Sequence, residues 1–235
     1  MFRFPPLTPL VRTCLIVFLT AYVGLLVAAN WAGQAELARL LALNTETLWI
    51  GNAWQIATYV LVQDTSPAGV MPFVISSIFF WWVVAAYEQS FGTKRTIQVL
   101  VASLFGASLL ALAVGIFLPG VLYGFGPLTL GAFAAYAWAM RILKQQANFF
   151  GVWPMKPMTM IWIILGLSVL SFLASRNVLA LVGDVGATLA GVLFTESMSR
   201  PPRERKKSGG HRKRGGPSLQ VISGGKDDDP PKWLN

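Results

Sequence analysis

Charge is scarce in this chain, and where it is missing it is missing in long blocks. Only 12% of the 235 residues are Asp, Glu, Lys or Arg, about half the share of an ordinary soluble domain. Residues 13–32, 65–87, 96–140 and 157–175 contain none, and residues 177–195 contain a single acid, Asp184. Runs of this length exclude a water-soluble helical bundle, because roughly 20 apolar residues already cross the hydrocarbon core of a bilayer. Cysteine is nearly absent too. Cys14 stands alone, which excludes an intramolecular disulfide and a cysteine metal cluster. The one histidine, His211, lies in the polar C-terminal stretch, so the apolar part of the chain has no imidazole for acid–base work or metal binding. Two or three clustered ligands are needed to hold a metal, and the apolar runs supply Asp184 alone, with Glu88 at a boundary. No metal and no cofactor is expected.

What is present is a sequence of spans. The 96–140 run is long enough for two helices and is broken by Gly and Pro at "GIFLPGVLYGFGP", the composition of a connection at a membrane face. The expected architecture is an all-α, polytopic membrane protein with six transmembrane helices, near residues 13–31, 68–87, 96–118, 127–143, 157–174 and 178–195. The first apolar run exceeds the roughly 7–15 residues of a signal-peptide core and is read as a retained span. Residues 1–197 form the membrane domain. Within it, residues 32–67 make a first outer loop that is half apolar and carries Trp49 and Trp54, as segments at headgroup depth do. Residues 198–235 are rich in Pro, Gly and charge and are expected to be disordered.

Basic residues set the orientation. With the N-terminus inside, all of the 19 Lys and Arg residues except Arg39 and Arg176 fall on the inner side. Lys and Arg mark cytoplasmic loops, so both termini are expected in the cytoplasm. Small residues recur every four positions on two spans: Gly131, Ala135 and Ala139 on the fourth, and Gly183, Ala187 and Gly191 on the sixth. Such faces let helix backbones approach closely in lipid, and these two spans are expected to pack together.

Four segments, in order and spacing, resemble the rhomboid family of intramembrane proteases. "GNAWQIATYVLV" (51–62) is similar to the family's Trp-Arg-x-x-Thr segment, with Trp54 and Thr58 kept and Gln55 in place of Arg. "AAYEQSFGTKR" (85–95) resembles the end of the second helix, with Glu88, Gly92 and a basic pair. "GFGPLTLGAFAAYA" (124–137), with Gly124 and Gly131, resembles the Gly-x-Ser-Gly start of the fourth helix. "DVGATLAGVLF" (184–194), with Gly186 and Gly191, resembles the sixth-helix His-x-Gly-Gly…Ala-Gly pattern. The resemblance covers roughly residues 10–195. It implies a six-helix bundle whose fourth helix begins below a water-filled cavity, where a serine attacks a peptide bond, a sixth-helix histidine takes the proton and second-helix polar groups hold the oxyanion.

At each of those positions this chain departs from the family. The serine position matches Gly126, and Pro127 follows it. The histidine position matches Asp184, and the oxyanion positions match Pro72 and Ser76. A serine hydroxyl needs an adjacent base to attack, and a proline offers no N–H to an oxyanion. The chain therefore reads as a rhomboid-like pseudoprotease that binds transmembrane segments of client proteins without cleaving them, with Asp184, Gly126, Thr129 and Trp54 as candidate cavity residues. Two other readings use the same residues. One is an intramembrane endopeptidase with a non-standard nucleophile such as Thr129, Thr65 or Ser66. The other is a small channel or proton-coupled transporter built on Asp184, an acid that is costly at the centre of a span.

The expected partners are the bilayer, client transmembrane segments and, through the tail, anionic headgroups. Arg203, Arg205, Lys206, Lys207, Arg212, Lys213 and Arg214 form a basic cluster next to the last span, where each such residue gains about 1 kcal/mol at an anionic surface. No aromatic residues interleave that cluster, so nucleic-acid binding is not expected. The six-helix form without a seventh span resembles common bacterial members, which points to a bacterial inner membrane.

Overall fold

The structure is a computed structural model, described for residues 5–34, 36–47, 51–149 and 153–199. Trp49 and the C-terminal tail with its basic cluster lie outside these residues. The chain runs through α1 (Pro9–Asn30), a short α2 (Glu36–Leu41), β1 (Leu43–Asn44), α3 (Gln55–Thr58), α4 (Val70–Phe91), α5 (Thr93–Gly115), β2 (Val121–Leu122), α6 (Gly126–Ile142), β3 (Ala147–Phe149), β4 (Trp153–Met155), α7 (Pro157–Ser175) and α8 (Val178–Ser199). Proline stands in the first turn of α1, α6 and α7. Its fixed φ suits a helix start, and its missing N–H has no intrahelical acceptor there. Gly92, at φ +83°, separates α4 from α5 with a single residue, a backbone state that a side chain would strain. The helices extend into Glu88, Lys94 and Arg95, beyond the uncharged runs, because a charged residue at a helix end reaches the interface without interrupting the backbone hydrogen bonds.

Among the described residues, five helices are long and apolar enough to cross a membrane: α1, α4 with the turn before it, α5, α7 and α8. The chain is an integral, multi-pass membrane protein. Apolar side chains such as Leu19, Phe105, Leu109, Leu170 and Leu193 point away from the bundle, as lipid-facing residues do. Of the six expected spans, α6 is the exception in length. Its 17 residues extend about 26 Å at 1.5 Å per residue, less than the ~30 Å hydrocarbon core. It is also the most enclosed helix, with Leu128, Ala132, Phe133, Ala134, Ala135 and Ala137 buried.

In lipid, apolar burial does not drive helices together, and close packing has to do so. The packing here centres on α8, which lies against α5 and α6. A Cβ on Gly186 would strike the Gly106 carbonyl oxygen, and one on Gly106 would strike Ala190. On the other side, a Cβ on Gly191 would strike the Gly131 carbonyl oxygen, and one on Gly131 would meet Ser103 and the Ala187 carbonyl. The fourth and sixth spans thus meet through Gly131 and Gly191 of their small-residue faces. Gly183 does not take part in that contact: a Cβ there would lie 2.9 Å from Leu122 Cδ1, in the strand before α6. Gly106 of α5 was not among the expected contacts, because the small-residue faces were read on the fourth and sixth spans alone.

Short ladders supplement the all-α architecture. β1 pairs antiparallel with β2, Leu43 opposite Leu122 and Asn44 opposite Val121, and β3 pairs with β4 in the α6–α7 connection. The first ladder ties the α1–α4 connection to the segment that leads into α6. Thr45 adds to it, its Oγ1 accepting from the Gly120 N–H at 3.1 Å.

Substituting Gly191→Val should force α8 from α6 and destabilise the bundle by about 1–3 kcal/mol or more, the usual range for overpacking. Gly166→Ala on α7, where an added Cβ meets nothing within 4 Å, should be neutral or stabilising. Thermal unfolding of both variants in the same detergent checks the pair.

Candidate functional site

The start of α6 is held by the aromatic ring that precedes it. Phe125 is fully buried. It stacks on Phe18 of α1 at 4.6 Å between ring centroids and meets Phe80 and Phe73 of α4 edge-on at 5.7 and 6.0 Å. Before it, Gly124 turns the chain at φ +96° and donates its N–H to the Tyr59 carbonyl at 2.9 Å. Tyr59 is itself fully buried. The α1–α4 connection and α1 and α4 together fix where α6 begins.

That beginning is recessed. Ile142 and Leu143 at the far end of α6 share a cavity wall with Phe91 of α4 and Met198 of α8, so the three helices finish together. α6 has 17 residues and α8 has 22, a difference of about 7 Å in length. Over the recessed end lies a cavity of about 310 Å³. Gly126 and Pro127 lie on its wall, and its polar lining includes Gln63, Ser76, Tyr123, Thr129, Ser171 and Asp184.

The positions of the sequence-predicted residues follow. Gly126 faces the cavity, and a Cβ added there would meet nothing within 4 Å. Pro127 is buried beside it. Asp184, only 8% exposed, reaches the same cavity from α8, with the buried Ser168 of α7 as its near polar neighbour. Ser76 joins the wall from α4, while Pro72, one turn earlier, does not line it. Thr129 lies on the wall, but its hydroxyl donates to the Phe125 carbonyl at 3.1 Å. Trp54 does not line this cavity. It sits in the α1–α4 connection and donates its indole N–H to the Leu40 carbonyl at 3.0 Å. Thr65 and Ser66 also lie apart from the Gly126 cavity, and Thr65 lines a neighbouring groove.

Trp54 belongs to a clamp. Thr58 Oγ1 donates to the Leu41 carbonyl at 2.8 Å, and the buried Gln55 donates to the Leu40 carbonyl and accepts from the Asn44 N–H. Three side chains of "WQIAT" thereby satisfy the carbonyls left free at the end of α2, which a short helix cannot satisfy itself. The uncharged Gln55 does this without placing a cation in a fully buried position. Glu88, at the other end of the molecule, accepts from Thr93 Oγ1 at 2.7 Å across the Gly92 turn.

Sequence reasoning missed Phe125, Gln63, Ser168 and Ser171. The first is legible as an aromatic between two glycines. The others carry no local signal, because only the tertiary fold gathers them. The cavity offers hydroxyls, an amide and one carboxylate. Its lining contains no Lys, Arg, His or Cys.

The family model described as Rhomboid domain matches residues 51–201 of the chain. Among curated proteins, no match is found.

The void over Gly126 has a direct consequence. Gly126→Ser should leave stability within about 0.5 kcal/mol, as for substitutions away from packed features. Gly131→Ser, one turn further along α6 and against Ser103 and Ala187, should cost about 1–3 kcal/mol. Unfolding midpoints of the two variants check the contrast.

Proposed function

Because the chain belongs to the rhomboid family, we propose that it is a pseudoprotease, an integral membrane protein that binds transmembrane segments of client proteins and does not cleave them. The observation that carries this reading is the composition of the cavity. It sits over the start of α6 with Gly126 on its wall and Asp184 opposite, where the family resemblance leads one to look for a serine and a histidine. Acyl transfer needs a nucleophile activated by a base within hydrogen-bond reach. Pro127 removes a backbone N–H at the place where an oxyanion would form, and losing one such donor typically costs about 10²–10³ in rate.

The remaining hydroxyls define the rival reading. Ser76 and Ser171 line the cavity with Asp184, so an endopeptidase with a non-standard nucleophile would draw on one of them rather than on Thr129, whose proton is engaged. A channel or proton-coupled transporter would draw on Asp184. Binding uses every feature of the cavity and requires no activated group. In this reading the cavity opens toward the outer face, both termini are cytoplasmic, the host membrane is a bacterial inner membrane, and the basic tail contacts anionic headgroups.

A fluorophosphonate probe should leave the purified protein unlabelled, and single-span segments reconstituted with it should be retained intact. Labelling that disappears in Ser76→Ala or Ser171→Ala, together with cleavage of a segment, would establish the protease instead.

A further inference from the structure

Asp184 poses a problem that the fold does not solve on its own. Its side chain is almost fully enclosed, within a membrane-embedded bundle, and the cavity it reaches contains no cationic side chain. Its near polar neighbour, Ser168, is a neutral hydroxyl. A carboxylate in such surroundings is stabilised only by a partner of opposite charge or by several hydrogen bonds.

The neighbouring grooves carry both signs of charge, and one that shares Tyr123 with the cavity is lined by Arg176. A groove of about 520 Å³ adjoins the cavity and shares Gln63 and Tyr123 with it. The groove contains one acid, Asp64, and one base, Arg39, and Arg39 is already paired with Glu36 at 3.0 Å. Asp64 lines this groove and Asp184 lines the cavity. The space to receive a side chain lies between Gly126 and Asp184, where Gly126 contributes no Cβ and a Cβ would meet no neighbour.

Resting on the client-binding reading above, we propose that this cavity selects client transmembrane segments that carry a lysine or arginine. The cationic head would pair with the Asp184 carboxylate while Gln63, Ser76 and Ser171 accept its remaining N–H groups. An ammonium or guanidinium inside a span is costly in lipid, and so is the unpaired carboxylate. Bringing the two together removes both penalties at once, which makes the charged client the favoured one. A purely apolar segment would leave Asp184 unpaired and displace water from it.

The test uses the full-length protein in nanodiscs of zwitterionic phosphatidylcholine, so that lipid charge does not enter. Three fluorescent single-span helices are titrated, identical except for one residue in the outer third: Lys, norleucine or Glu. The Lys segment should bind at least about tenfold more tightly than the norleucine segment. Asp184→Asn, similar in shape, should erase that preference, and Asp184→Lys should reverse it in favour of the Glu segment. Matching unfolding midpoints confirm that each variant is folded. Lys and norleucine segments bound within twofold of each other, or a Lys preference that survives Asp184→Asn, would overturn the selection while leaving client binding intact. Failure of all three segments to bind would overturn client binding itself and this inference with it.

Discussion

The bundle depends on two places where the α8 backbone touches another helix with no side chain between them. Gly186 lies against Gly106 of α5, and Gly191 lies against Gly131 of α6. Lipid chains are as apolar as leucine, so apolar area alone gives these helices no reason to associate. Contact at backbone distance supplies dispersion and weak polar attraction that bulky side chains would prevent. Because α8 is held on both flanks, α6 is fixed between α8 and the aromatic cluster of α1 and α4. The register of α6 then follows, and with it the position of its recessed end.

The cavity is a product of this arrangement and not of the residues that line it. α6 is shorter than its neighbours and finishes level with them at one end, so it starts below them at the other. Phe125 plugs the space beneath that start, Gly124 turns the chain into it, and β1–β2 with Thr45 secures the strand above. None of these supports involves Gly126, Ser76 or Ser171. The side chains at the wall can therefore differ in chemistry with these supports in place, and Gly126 and Asp184 stand where the family resemblance leads one to look for a serine and a histidine.

Much of this was legible in the sequence because membrane folding imposes coarse rules. Uncharged runs marked the helices, and the small-residue faces at 131 and 191 marked a real contact. The absence of histidine from the apolar runs excludes a Ser–His dyad there and needed no alignment. What could not be read was anything set by the third dimension. Trp54 looked like a cavity residue because it is a large aromatic in a family-like segment, yet the segment serves to satisfy the carbonyls of Leu40 and Leu41. Gly183 looked like part of the α6 face because its spacing fits, yet α8 at that level has passed the end of α6 and meets β2. The short ladders escaped notice because strands of two or three residues have no periodicity.

The buried acid links the architecture to the proposed activity. A structural polar group in a membrane bundle is ordinarily matched within the protein, as Gln55 is matched by Leu40 and Asn44 and as Trp138 is by Glu196 at 2.9 Å. Asp184 departs from that rule, since its near polar neighbour is the neutral hydroxyl of Ser168 and it lines a cavity. An acid serving the fold alone would be expected to show its partner within the bundle. An acid serving a guest would show what is seen here: a supported position on a packed helix and an open volume before it. Packing and the proposed recognition would thus be separated along α8 itself, with Gly186 and Gly191 fixing the helix on its neighbours and Asp184 lining the cavity at the start of α6.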